Sequence, residues 1–171
     1  MTVNEGRRKG ALRWLWLAAA VIVADQLSKA LVVREFLLYE VLDVLPVLEV
    51  TRLHNTGAAF SLLAQASGWQ RWFFIVLALG ISTGIVVWLK GLSGRGATWL
   101  AIALSLVMGG ALGNVIDRVW HGHVIDFIHF HWERWYYPAF NVADMAITVG
   151  AIMLVIDALL SSRRARPAEQ P

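Results

Sequence analysis

The sequence contains no cysteine, little proline and few charged residues. Of its 171 residues, none is Cys, 4 are Pro and 16% are charged. The absence of Cys excludes disulfide bonds and thiolate metal sites, and it gives no information on redox compartment. Hydrophobic residues make up 58% of the chain and the mean hydropathy is positive. This composition departs from that of a soluble domain and indicates a polytopic membrane protein.

Four apolar stretches are long enough to cross a membrane as helices, which requires about 20 residues for about 30 Å of hydrocarbon. They cover residues 12–33, 72–89, 97–113 and 140–160. No Pro/Ser-rich linker and no internal repeat divides the chain. The sequence therefore predicts one membrane-embedded domain over residues 1–171, an all-α bundle of four transmembrane helices, with a disordered tail at residues 163–171.

The distribution of basic residues predicts the orientation of this bundle. Nine of the 15 Lys and Arg residues lie near the start of the first span, between the second and third spans, or after the fourth. Basic residues are enriched on the cytoplasmic side, so we expect both termini there. A cleaved signal peptide ending near Ala24 is disfavoured, because the apolar pattern resumes after Lys29. The basic residues thus mark orientation. The net charge of +3 gives little reason to expect nucleic-acid binding.

The first outward segment, residues 34–71, carries strand signals. The segment contains β-branched and aliphatic stretches that are interrupted by Pro46 and by a turn signal from Asn55 to Gly57. This pattern predicts a small extracytoplasmic β-like platform at the membrane surface. Its apolar content indicates that it rests on lipid or on a lipid-bearing ligand.

Polar residues gather at the outward ends of the predicted helices. Asp25 and Lys29 are four residues apart, so they share one helix face with the acid first, the favourable order. They form either a self-neutralising pair inside the bundle or part of a substrate site. Asp117 and Arg118 follow several glycines that allow close helix approach, and they are interpreted as an interfacial ion pair.

Two further acids stand in apolar surroundings. Asp126 lies between apolar neighbours, which would raise its pKa if it is buried. Asp144 stands near the start of the fourth span, where it either complements the helix terminus after an Asn141 cap or takes part in chemistry. If the third and fourth helices are antiparallel neighbours, both carboxylates reach the same face and share a proton. One can then activate water while the other donates a proton, as peptide hydrolysis requires.

Three other functions are compatible with buried carboxylates in four spans. A proton-coupled transporter would use Asp25 or Asp144 as a relay, but it predicts midplane acids and often an inverted repeat. A purely structural membrane subunit would tolerate their replacement by Asn. A zinc site is the third possibility, since His121, His123, His129 and His131 surround Asp126 in sequence. It is disfavoured because no HExxH-type pattern is present.

Five short motifs occur in the order found in one family of membrane enzymes. They are "DQLSK" at 25–29, "NTGAAFS" at 55–61, "GNVIDR" at 113–118, "VIDF" at 124–127 and "FNVAD" at 140–144. Together with four spans, this order resembles bacterial lipoprotein signal peptidase, also called signal peptidase II. The resemblance covers nearly the whole chain.

The resemblance implies an intramembrane aspartic endopeptidase of the bacterial inner membrane, with its site towards the extracytoplasmic face. Such an enzyme removes the signal peptide from diacylglyceryl-modified prolipoproteins, cutting before the lipidated cysteine, and needs no metal or organic cofactor. The implied catalytic dyad is Asp126 and Asp144.

Other site residues are carried over by the same motifs. Those implied to bind substrate or support the dyad are Asn55, Asn114, Arg118 and Asn141, while Asp25 and Lys29 would support the bundle near the site. The extra histidines and Met145 depart mildly from the family pattern. The segment around Asn55 and Phe60 is expected to hold the substrate.

Overall fold

A computed structural model of the chain describes residues 10–57, 68–92 and 97–164. A short 3-10 helix, Ala11–Trp14, leads into the first of four α-helices. These are α1 (Leu15–Glu35), α2 (Trp69–Gly91), α3 (Ala97–His121) and α4 (Val142–Arg164). The described residues contain four helices that are long and apolar enough to cross a membrane. The predicted helical membrane bundle with a small sheet is confirmed.

Helix α3 lies at the centre of the bundle and packs against α1, α2 and α4. Two glycines make this close packing possible. A Cβ on Gly109 would lie 2.8 Å from the backbone oxygen of Ala18 on α1, and one on Gly110 would collide with the backbone oxygen of Ala143 on α4. Small residues at helix interfaces allow backbones to approach where lipid provides no hydrophobic drive for association.

The apolar residues divide between a buried core and an outer surface. Leu89, Leu104 and Met108 form part of a buried core at the end of the bundle away from the sheet. Long aliphatic side chains on the outside of the helices are exposed, as expected of surfaces that face lipid. They include Val23, Leu27, Val76, Val87, Val155 and Leu159.

Four antiparallel strands form a sheet in the order β1-β2-β3-β4. They are β1 (Val41–Leu45), β2 (Leu48–Asn55), β3 (Val124–Trp132) and β4 (Trp135–Tyr136). The sheet therefore combines residues 34–71 with the segment between the third and fourth spans, whereas strand signals predicted it in the first of these alone. Its central pairing sets Asn55 opposite Val124 and Leu53 opposite Asp126, so Asp126 lies on a strand and not in a loop.

Helix boundaries differ most at the third span. The sequence predicts an end at Gly113, but α3 continues to His121. The polar residues Asn114, Asp117 and Arg118 stay helical because their side chains have hydrogen-bond or ionic partners inside the protein. Helix α4 extends to Arg164. The rest of the predicted tail and the basic residues 7–9, Arg95 and Arg166 lie outside the described residues.

Candidate active site

Asp144 lies in the first turn of α4 and belongs to a reciprocal cap. The backbone N–H of Asp144 donates to Oδ1 of Asn141 at 2.9 Å, and the N–H of Asn141 donates to Oδ2 of Asp144 at 3.2 Å. This is the pattern of a capping box with Asn and Asp in the two positions. The other carboxylate oxygen, Oδ1, accepts a 2.8 Å hydrogen bond from Asn114 Nδ2. Asp144 therefore acts as a helix cap and also presents a carboxylate to a cavity.

Asp126 reaches the same cavity from strand β3. Its side chain is buried, and it accepts hydrogen bonds from Asn55 Nδ2 at 2.9 Å and from Asn141 Nδ2 at 2.7 Å. Asn141 thus bonds to both acids. Its side-chain amide donates to Asp126, and its side-chain oxygen and backbone N–H form the reciprocal cap with Asp144. The structure brings the two aspartates of the predicted dyad to one site from different secondary-structure elements.

The environment of Asp126 favours its protonated form. Burial, and next the negative charge of Asp144, raises the pKa of Asp126 to about 7, although the hydrogen bonds from Asn55 and Asn141 oppose this rise. Two nearby carboxylates that cannot both ionise cheaply share a proton. At neutral pH this site can hold both a proton donor and a proton acceptor.

A cavity of about 640 Å³ opens beside these acids. Its polar end contains both aspartates together with Asn55, Asn114 and Arg118, while Asn141 bonds to them from the α4 cap. The remaining walls are largely apolar. They come from α2, α3 and α4 and from the segment before α4, and include Phe74, Leu77, Ile81, Val107, Tyr137, Phe140 and Val149.

Arg118 provides the positive charge at the cavity. Its guanidinium donates to the backbone oxygens of Gly57 at 2.9 Å and Asn114 at 3.3 Å. It also lies 5.0 Å from the ring centroid of Phe74 on α2. These contacts fix the guanidinium between the sheet and two helices, where it can stabilise negative charge on a bound group.

Asp25 and Lys29 lie behind the cavity. Lys29 Nζ is 2.8 Å from Asp25 Oδ2 and 2.7 Å from Asp117 Oδ2. The interfacial pair expected between Asp117 and Arg118 is therefore corrected, because Asp117 pairs with Lys29 inside the bundle. Sequence reasoning also missed Gln26, whose amide bonds to both Asp25 and Asp117. The sequence could have pointed to Gln26 only through its position directly after Asp25.

The histidines do not gather around Asp126 as their sequence positions suggest. The ring of His123 stacks on that of His54 at 3.7 Å and lies near His121. Burial, and next the neighbouring His54, lowers the pKa of His123 to about 4.

The other two histidines, His129 and His131, flank Glu49 at 3.3 and 3.4 Å. Within the part of the chain that the structure describes, no group of three or more His, Asp or Glu residues could hold a metal ion. Phe60, expected to help hold the substrate, lies outside the described residues.

Comparison with known proteins identifies the family of the chain. A family model described as signal peptidase (SPase) II matches residues 17–160. A lipoprotein signal peptidase of Pseudomonas aeruginosa is 55% identical over 96% of this chain and 98% of its own length. The lipoprotein signal peptidase of Pseudomonas fluorescens is 55% identical over 94% of this chain and 95% of its own length.

Two solved structures are also similar, each described as a bacterial membrane enzyme structure obtained by the in meso method. The one at 2.3 Å resolution has a TM-score of 0.79 and 29% identity, and it covers 93% of this chain and 94% of its own. The one at 1.9 Å has a TM-score of 0.74 and 30% identity, with coverage of 86% and 92%. The family match extends over most of the chain, and the protein belongs to the signal peptidase II family.

Proposed function

We propose that the protein is an intramembrane aspartic endopeptidase that removes the signal peptide from diacylglyceryl-modified prolipoproteins, cutting before the lipidated cysteine. Its family membership supports the substrate class. The observation that carries the catalytic type is the pair Asp126 and Asp144, which line one cavity and are joined through Asn141. This pair provides an acid and a base without a metal or organic cofactor.

The reaction proceeds by direct attack of water. One carboxylate removes a proton from a water molecule, and the resulting hydroxide adds to the carbonyl carbon of the scissile bond. The other carboxyl gives its proton to the carbonyl oxygen, forming a noncovalent tetrahedral intermediate. When the C–N bond breaks, the amine leaving group takes up a proton from one carboxyl. A hydroxyl of the intermediate gives its proton to the other carboxylate as the new carboxyl terminus forms, which restores the singly protonated pair.

The shape of the cavity suits a substrate that arrives through the membrane. Apolar side chains of α2 and α4, among them Leu77, Ile81 and Val149, line the cavity together with the two acids. A signal peptide helix can enter between these walls while the acyl chains of the lipidated cysteine stay in the bilayer. The scissile bond then meets the dyad at the sheet end of the bundle, with Asn55 and Arg118 beside it.

The sheet carries an exposed apolar surface. Strand β1 is exposed along its whole length, and Leu42, Val44 and Leu45 present apolar side chains. Such a surface favours contact with membrane lipid. We place the enzyme in the bacterial inner membrane with both termini cytoplasmic and the sheet on the extracytoplasmic side, in line with the distribution of basic residues.

The transporter alternative lacks support. The family of the chain is one of peptidases. In addition, Asp144 lies in the first turn of α4 and Asp25 accepts a hydrogen bond from Ala143 at the start of the same helix, whereas a proton relay would need ionisable groups near the midplane.

The deciding experiment measures cleavage of a diacylglyceryl-modified prolipoprotein by purified protein in lipid or detergent. Wild type is compared with Asp126→Asn and Asp144→Asn, after thermal melting has shown that all three are folded. We expect cleavage by wild type alone, unchanged by a chelator. Near wild-type cleavage by either variant would refute the aspartic dyad, and loss of cleavage on chelation would point to a metalloenzyme.

A further inference from the structure

Three charged side chains, Asp25, Lys29 and Asp117, form a buried cluster next to the site, which we term the ion triad. Lys29 is 2% exposed, Asp25 0% and Asp117 1%. The ammonium lies between the two carboxylates at 2.8 and 2.7 Å. Burying three charges is costly, and such groups add little stability over an apolar core of the same size. Their presence beside a catalytic cavity therefore calls for another explanation.

Each carboxylate of the triad holds the backbone of the residue that precedes a dyad acid. The N–H of Ala143, one residue before Asp144, donates to Oδ1 of Asp25 at 2.9 Å. The N–H of Ile125, one residue before Asp126, donates to Oδ2 of Asp117 at 3.2 Å. Helix α4 and strand β3 are thus attached to one rigid cluster at the positions that deliver the two catalytic carboxylates.

Lys29 also reaches the dyad through a side chain. Its ammonium donates to Oδ1 of Asn114 at 3.0 Å. Because an ammonium group can only donate, it fixes the orientation of this amide and turns Nδ2 of Asn114 towards Asp144. That Nδ2 bonds to Oδ1 of Asp144 at 2.8 Å. The half-buried Gln26 completes the cluster with bonds of 2.8 Å to Asp117 and 3.2 Å to Asp25.

We propose that the ion triad positions the dyad, with Asp25 setting the place of Asp144, Asp117 setting the place of Asp126, and Lys29 joining the two. This inference rests on the proposed function. Among the described residues, the lining of the cavity does not include the triad, so its members are positioning residues. They act on the distance and orientation between the two carboxylates, on which proton transfer depends.

The test uses Asp117→Asn in the full-length protein. Asparagine keeps the shape and offers an oxygen to the N–H of Ile125, but it removes the charge that faces Lys29. Misplacing catalytic groups by about 1 Å can reduce turnover on the order of 100-fold. We therefore expect kcat to fall by roughly 10- to 100-fold, while KM for the lipidated precursor stays within about 3-fold because the triad does not touch the cavity.

A second readout reports dyad geometry without turnover. A lipopeptide whose scissile amide is replaced by a hydroxyethylene group places a hydroxyl between the two carboxylates, as the tetrahedral intermediate does. Its affinity for Asp117→Asn should fall together with kcat. If the triad has a merely structural role, the affinity for this inhibitor will change no more than KM does. That result would overturn the proposal.

The matched control is Leu104→Ala, which creates a cavity in the core of the same helix without contacting the triad. It should lower the melting temperature but leave the kcat of folded enzyme near wild type. If it reduces kcat as much as Asp117→Asn at equal melting temperature, the triad has no specific role. Should Asp117→Asn fail to fold, Asp25→Asn decides, because it keeps an oxygen for the N–H of Ala143 and removes the other charge that faces Lys29. An unchanged kcat in folded Asp25→Asn would refute the inference.

The same assay separates this inference from the proposed function. If wild type does not cleave the precursor, or if Asp126→Asn cleaves it, the proposed function fails. If wild type alone cleaves and folded Asp117→Asn matches it in kcat and in hydroxyethylene affinity, only the role of the triad is rejected.

Discussion

Asn141 donates its side-chain amide to Asp126 over 2.7 Å while its side-chain oxygen caps the helix that carries Asp144. The residue therefore couples the start of α4 to strand β3. Two interpretations of Asp144, as a helix cap and as a catalytic acid, are compatible, because one carboxylate oxygen serves the cap and the other bonds to Asn114. The cap sets the orientation in which the carboxylate meets its partner.

This double role of Asn141 can be separated by two substitutions. Asn141→Ser keeps an oxygen that can cap α4 but removes the amide that bonds to Asp126, whereas Asn141→Ala removes both. Loss of the cap costs about 1 kcal/mol of stability. We expect both variants to lose turnover on the order of 100-fold, but only Asn141→Ala to lose the capping contribution, measured by unfolding in mixed micelles. Wild-type turnover in Asn141→Ser would show that the amide is dispensable.

The pH dependence of cleavage follows from the protonation of Asp126. The active dyad carries one proton, and burial together with Asp144 raises the pKa of Asp126 to about 7. Asp126 keeps its proton below this pKa and loses it above. Therefore kcat/KM should fall as the pH rises through about 7. The profile is measured over about two pH units on either side of that pKa, with the fold monitored throughout.

Asn55→Ala provides a directional check on this assignment. Its amide bonds to the charged form of Asp126 and so lowers the pKa of that acid. Removing the amide should move the alkaline limb of the profile to higher pH. Thr83→Ala, at an exposed position on α2, should leave the limb in place. A limb that moves to lower pH in Asn55→Ala would contradict the assignment to Asp126.

The packing of α3 against α4 predicts a stability difference between two Gly-to-Ala substitutions. A Cβ at Gly110 would collide with the backbone of Ala143, whereas a Cβ at Gly84 on α2 would meet nothing within 4 Å. Gly110→Ala should lower the free energy of unfolding by about 1 to 3 kcal/mol. Gly84→Ala should leave it equal or raise it by up to about 1 kcal/mol, since Ala favours the helix. Equal effects of the two changes would refute close packing at Gly110.

Sequence reasoning predicted the helices well because each apolar stretch records a local requirement, the length needed to cross the membrane. Motif order also led to Asp126 and Asp144, although their catalytic role stays a prediction. The joint sheet was not predicted, since the pairing of Asn55 with Val124 joins segments far apart in sequence. The end of α3 was misplaced because the polar residue Asn114 resembled a helix boundary. Its hydrogen-bond partners on α1 and α4 explain why it lies within the helix.

The α2 wall of the cavity leads to a prediction on how bulk at this helix affects the substrate. Ala78 lines the cavity between α2 and α4, and a Trp at this position would occupy space that the signal helix needs. We expect Ala78→Trp to reduce kcat/KM by about 10-fold or more, mainly through KM, because contacts shared by the bound substrate and the transition state are lost. Val76→Trp is the matched control, since Val76 is two residues away and 68% exposed on the outer surface of the same helix. If the substrate enters between α2 and α4, only the first variant is impaired, and equal impairment of both would show that it enters by another path.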